Sequence, residues 1–200
     1  MIDSIIFDFG DVFINLDKPA TLRELQKLGV HDIPPVLFEC HDRYEKGLIS
    51  TSDFIAQVMA ILPGQKAEDL VKAWNAILLD LPQERIEFLK SLKKEGGYRC
   101  FLLSNTNELH IQYCFDELGS DLMTEFFGSF DKVYLSHEVK MSKPDPNIFK
   151  KVIAENALLP DCALFVDDTL VHIESARSVG LQTWHLQVGV EDITQLKSKL

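Results

Sequence analysis

The chain has 200 residues, 46% hydrophobic and 26% charged, enough for one full core with a small accessory lobe and too ordinary a balance for a disordered protein. Its formal net charge of −11 repels nucleic acid, and no dense Lys/Arg run offsets that field, so no nucleic-acid partner is expected. No window approaches the roughly 18 apolar residues of a spanning helix, and the first residues lack a signal-peptide pattern. Cys40, Cys100, Cys114 and Cys162 are scattered without a CxxC pair, which argues against zinc. A cytoplasmic protein without a membrane partner is the expectation.

In chain order, Ser4–Phe9 is an apolar run that reads as a buried strand. Pro19 then starts a helix lined by Leu22, Leu25 and Leu28 up to Gly29. Helical patterns continue through Ser52–Ile61, with Ser52-Asp53 as its cap, and through Ala67–Leu79, with Pro63-Gly64 between them. Pro82–Lys94 places Ile86, Leu89 and Leu92 on one helical face and stops at Gly96-Gly97. From there strand and helix alternate: Arg99–Leu103, Lys132–Leu135, Ala163–Val166 and Gln182–Leu186 are short apolar runs, while Asn147–Asn156 and Val171–Val179 are helical. Strands that are apolar on both faces indicate a parallel sheet covered by helices. The expected fold is α/β, a Rossmann-like doubly wound parallel sheet built from residues 1–15 and 82–200, with a helical insert over 16–81 after the first strand.

Four segments carry candidate chemistry. Ile5–Val12 delivers Asp8 at the end of a strand, followed by a Gly turn; a carboxylate there serves as nucleophile or metal ligand. Phe101–Asn107 ends a strand in Ser104-Asn105-Thr106-Asn107, whose hydroxyls, amides and backbone N–H groups can hold phosphate oxygens. In Lys140–Pro146, Pro144 keeps Lys143 extended, and a fixed ammonium can neutralise a transferring phosphoryl group. Leu164–Thr169 puts Asp167 and Asp168 side by side at a strand end; adjacent carboxylates need a cation, and hard oxygen ligands suit Mg²⁺. Taken alone, each has a plainer reading: a turn Asp, a capping cluster, surface lysines, an acidic helix cap. Together they supply a nucleophile, oxygen donors, a fixed cation and a metal platform, the needs of phosphoryl transfer.

In this order the four segments resemble the four motifs of the haloacid dehalogenase superfamily, along essentially the whole chain, including Tyr44–Ser50 as a cap segment. The branch it most resembles contains small-cap phosphatases of sugar phosphates such as glucose 1-phosphate. The resemblance implies that Asp8 attacks phosphorus and ligates Mg²⁺, and that Gly10 offers its carbonyl to the metal. It implies that Ser104 binds a phosphoryl oxygen with help from the Asn105 backbone, and that Lys143 pairs with Asp8 and the phosphoryl group. Asp168 would ligate the metal, with Asp167 directly on it or one shell out, and residues 16–81 would form the cap. His41, Arg43 and Tyr44 are the candidates for selecting substrate.

One departure matters. Most phosphatases of this family carry a second Asp two residues after the nucleophile as general acid and base, and Gly10 stands there. Asp11, in a turn, should point elsewhere. Glu45, His41 or a water are the candidates for that work, which is typically worth about 10²–10⁴-fold in rate. The expectation is a Mg²⁺-dependent phosphatase, monomer or homodimer, acting on a small phosphorylated metabolite. The alternatives are a metal-independent 2-haloacid dehalogenase, a phosphometabolite-binding protein without turnover, and a mutase. A second departure, His172 where similar sequences often have Asn, is read as a helix cap or a contact to the acidic turn.

Overall fold

Five parallel strands run side by side in the order β3-β2-β1-β4-β5: β1 Ser4–Phe7, β2 Arg99–Ser104, β3 Lys132–Leu135, β4 Ala163–Asp167 and β5 Gln182–His185. The computed structural model describes residues 1–200, the side chains of residues 95 and 96 excepted. Central β1 pairs Ile5 with Cys100 on one flank and with Leu164 on the other.

The absence of polar alternation in the strands has its reason in the two faces of the sheet. Side chains point alternately to opposite faces. Ile5, Phe7, Cys100, Leu102, Leu164 and Val166 share one core with Ile86, Leu89 and Leu92 of helix α5 (Gln83–Gly96) and with Met123 and Phe126 of α7 (Ser120–Gly128). Ile6, Phe101, Leu103 and Phe165 face the other core, with Ile148, Phe149 and Val152 of α9 (Pro146–Glu155) and Ile173 and Ala176 of α10 (Leu170–Ser178). Both faces are covered, so both must be apolar. The α5 helix ends at Gly97 in the left-handed region, φ 66°, a conformation glycine adopts without strain.

Between β1 and α5 lie four helices with an apolar cluster of their own: α1 Ala20–Lys27, α2 Pro35–Glu45, α3 Thr51–Ile61 and α4 Ala67–Asn75. The chain enters and leaves this insert through a paired ribbon. Asn15 N–H donates to Asp80 O (2.9 Å), Leu79 N–H to Asn15 O (3.0 Å) and Asp17 N–H to Ile77 O (2.9 Å). That ribbon is why α4 stops at Asn75, short of the expected Leu79. Ser50, not Ser52, caps α3, its side chain accepting from Asp53 N–H.

Four helices were not expected: α2, α6 (Glu108–Tyr113) with the π-helical turn Cys114–Leu118 after it, α7, and the short α8 (Ser136–Val139). No helix is long and apolar enough to cross a membrane among the described residues.

Candidate active site

The four motifs meet at the carboxyl ends of β1, β2 and β4, where open α/β sheets bind ligands. Asp8 N–H donates to Val166 O (2.9 Å), which carries the ladder one residue beyond the strand and sets Asp8 beside the end of β4. Lys143 is buried, and its Nζ lies 2.7 Å from Asp8 Oδ1 and 2.7 Å from Asp167 Oδ2. Its main chain is clamped by one side chain: the Asn105 amide donates to Lys143 O (2.8 Å) and accepts from Lys143 N–H (2.9 Å). The loop after β2 and the lysine loop are thereby one rigid unit.

Burial pushes the Asp8 carboxyl up, to about 7; Lys143 opposes this and the charge of Asp167 adds to it. Asp167 is also desolvated, but Lys143 and His172 outweigh that and hold it at about 2. The two carboxylates raise Lys143 against its own burial, so the ammonium stays charged.

Among the described residues, Asp8, Asp167 and Asp168 each bring a carboxylate oxygen within 4.8 Å of the others. Asp167 is saturated by the protein, meeting Lys143, the His172 ring at 3.0 Å and Thr169 N–H at 2.7 Å. His172, expected first as a plain helix cap, instead contacts the acidic turn, and Thr169 holds the cap position. Asp168 instead meets the half-exposed Lys18, whose Nζ lies 2.5 Å from it and 2.9 Å from Asp11. Three clustered carboxylates, two of them sharing the buried Lys143 and the third met by the half-exposed Lys18, offer hard anionic oxygens, a donor set that fits a small divalent cation. Asp11 has φ 55°, and its other oxygen accepts from Leu16 N–H at 3.1 Å.

A cavity of about 180 Å³ opens beside these strand ends, lined by Gly10, Ser104, Asn105 and His110 from the sheet side and by His41 and Glu45 from α2. Of the three substrate candidates, His41 reaches it. Arg43 lines a separate groove with Glu39 and Gln57. Tyr44 is buried in the insert, stacked on Phe54 at 4.1 Å, its hydroxyl bonded to Thr51 and to Leu109 N–H. Arg43, two residues beyond His41, points to the opposite side of α2, whereas Tyr44, three beyond, neighbours His41 on the helix but turns into the core of the insert.

Asn107 of the small polar cluster is a helix cap, accepting from His110 N–H at 3.1 Å. Lys18 and His110 were not among the expected site residues. Nothing in the sequence signalled that Lys18 meets a residue 150 positions away.

The haloacid dehalogenase-like hydrolase family matches residues 2–180 of the chain. The chain is similar to a D-ribitol-5-phosphate phosphatase of Bacteroides thetaiotaomicron, with 29% identity over 96% of this chain and 95% of the relative. It is similar to the magnesium complex of a HAD-family enzyme from the same bacterium, with 30% identity and a TM-score of 0.88 over 98% of each chain. A HAD-like family hydrolase from Porphyromonas gingivalis superposes at TM-score 0.84 with 28% identity, over 100% of this chain and 98% of the other. The motif order, the sheet order and these matches agree, and the chain belongs to the haloacid dehalogenase-like hydrolases.

Proposed function

We propose that the protein is a Mg²⁺-dependent phosphatase of a small phosphorylated sugar or polyol, with Asp8 as nucleophile. The observation that carries this reading is the buried Lys143 ammonium held between Asp8 and Asp167 at 2.7 Å from each. Such an ammonium orients the attacking carboxylate and offsets charge on the transferring group. The Asp8 carboxylate attacks phosphorus and forms an aspartyl phosphate, which water then hydrolyses. Ser104 and the backbone of Asn105 bind phosphoryl oxygens, and Lys143 is fixed for its task by the Asn105 clamp. Mg²⁺, named for the related magnesium complex, would be held by Asp8, Asp168 and the Gly10 carbonyl, with Asp167 behind them anchoring Lys143. It supplies Lewis-acid neutralisation of phosphoryl charge when bound.

The helical insert acts as a cap, covering the strand ends and shielding the reaction from water. A cavity of about 180 Å³ falls below the roughly 300–1,000 Å³ of drug-sized sites, which supports a small substrate. The related phosphatase is named for a polyol phosphate, which turns the expectation from sugar 1-phosphates toward open-chain and sugar esters alike. The cluster of carboxylate oxygens that Asp167 and Asp168 form with Asp8 favours a metal-dependent phosphatase over a metal-independent dehalogenase.

The test is phosphate release from ribitol 5-phosphate, sugar phosphates and p-nitrophenyl phosphate, with Mg²⁺ or EDTA, beside Asp8→Asn. Release that needs Mg²⁺ and falls about 10³-fold or more in Asp8→Asn is expected. Release that persists in EDTA or in Asp8→Asn would overturn the assignment.

A further inference from the structure

We propose that Glu45, with His41 as its proton partner, protonates the leaving alcohol and then deprotonates the attacking water, an assignment that rests on the phosphatase reading. In the first step the ester P–O bond breaks, its electron pair goes to the alcohol oxygen, and a bond forms from phosphorus to Asp8. An alkoxide is too basic to leave unaided, so a proton must reach it. In the second step water attacks phosphorus, the bond to Asp8 breaks with its electron pair returning to the carboxylate, and a proton must leave the water. One proton is given and one taken, and the pair ends as it began.

Four titratable side chains line the cavity among the described residues: His41, Glu45, His110 and Cys114. His110 is committed, with Nδ1 3.2 Å from the Asn107 amide and Nε2 3.3 Å from Trp74 O. Cys114 is fully buried, and burial pushes its thiol to about 12. Asp11 does not line the cavity; its oxygens are taken by Leu16 N–H and Lys18. Glu45 and His41 remain, with His41 Nε2 3.4 Å from Glu45 Oε2.

Both are held in place. The His41 ring packs edge-on against Trp74 at 5.1 Å. Ser136 Oγ donates to Glu45 O (2.7 Å) and accepts from Thr106 N–H (2.9 Å). That bridge fixes the last turn of α2 to the loop that carries Ser104 and Asn105. Because it uses the main chain of residue 45, Glu45→Gln leaves it intact.

The experiment is rapid-mixing kinetics of Glu45→Gln, Glu45→Ala and the unaltered enzyme with Mg²⁺, on ribitol 5-phosphate and p-nitrophenyl phosphate. Nitrophenolate leaves without a proton, so the two substrates separate the steps. Expected for Glu45→Gln is a kcat on the polyol ester lower by about 10²–10⁴-fold with KM little changed. On the nitrophenyl ester the same variant should give a burst of about one nitrophenolate per enzyme, then slow turnover as aspartyl phosphate accumulates. Wild-type kcat in both variants, or a rise in KM alone with no burst, would overturn the assignment. Absence of release by the unaltered enzyme would overturn the phosphatase reading and this assignment with it, a result distinct from activity that survives Glu45→Gln.

Discussion

His110 spends both ring nitrogens inside the fold, one against Asn107 and one against Trp74 O, and its ring stacks on Trp74 at 5.8 Å. Burial lowers its pKa from 6.5 to about 4. Between those values the unfolded chain takes up a proton that the folded chain refuses. Stability is therefore intact above pH 6.5 and falls as pH drops from about 6.5 toward 4, by about 3 kcal/mol at most. Thermal midpoints measured across that range should fall steeply for the native protein and less steeply for His110→Gln; equal slopes would remove His110 as the cause. Lys18 is the other residue that only the folded chain reveals. Its ammonium occupies Asp168 and Asp11, so it competes with any cation there. Lys18→Gln should tighten Mg²⁺ binding about two- to five-fold, as expected for loss of a partly exposed ion pair, measured by titration calorimetry. Weaker binding would mean that Lys18 supports the site. Asp8, Lys143 and Asp168 were legible in the sequence because each closes an apolar strand or precedes a proline. The Asn105 clamp and Lys18 were not, because their partners are set by loop geometry and lie far along the chain.

The turn from α2 to α3 is pressed against the sheet side of the molecule. Gly47 has φ 57°, and a Cβ there would lie 2.0 Å from His137 O, a backbone atom that cannot move aside. Lys140 Nζ donates to Gly47 O at 2.5 Å, and Thr51 bonds Glu108 across the same seam. Gly47→Ala should cost about 2–4 kcal/mol by combining backbone strain with a clash, seen as a lower denaturant midpoint, and should raise KM as the turn lifts away from Ser136. An unchanged midpoint would show that the seam is loose. Elements with a dense apolar stripe, such as α5 with Ile86, Leu89 and Leu92, were legible within a residue or two of their ends. The α2 helix was not: its inward positions are Leu37, Cys40 and Tyr44, correctly spaced but muted by residues that are not strongly apolar. The α6 helix buries no residue fully, so it had no stripe to find.

For the molecule as a whole, sheet type and the position of the insert followed from pattern alone, since a strand apolar on both faces has few places to go except the middle of a covered sheet. Which helices touch the strand ends did not follow, because that depends on how the insert is seated, and the seating is set by Ser136, Lys140 and Leu109, all distant in sequence. The paired ribbon at residues 15–17 and 77–80 has a consequence for the history of such a protein. Its two strands bring the ends of the insert together before anything in between is specified, and lengthening a closed loop costs only a logarithmic increment of entropy. The segment between them can be enlarged, shortened or exchanged while β1 keeps its register against β2 and β4. Asp8 and Lys143 can stay fixed through such changes, and new substrates can be acquired by rewriting a detachable part.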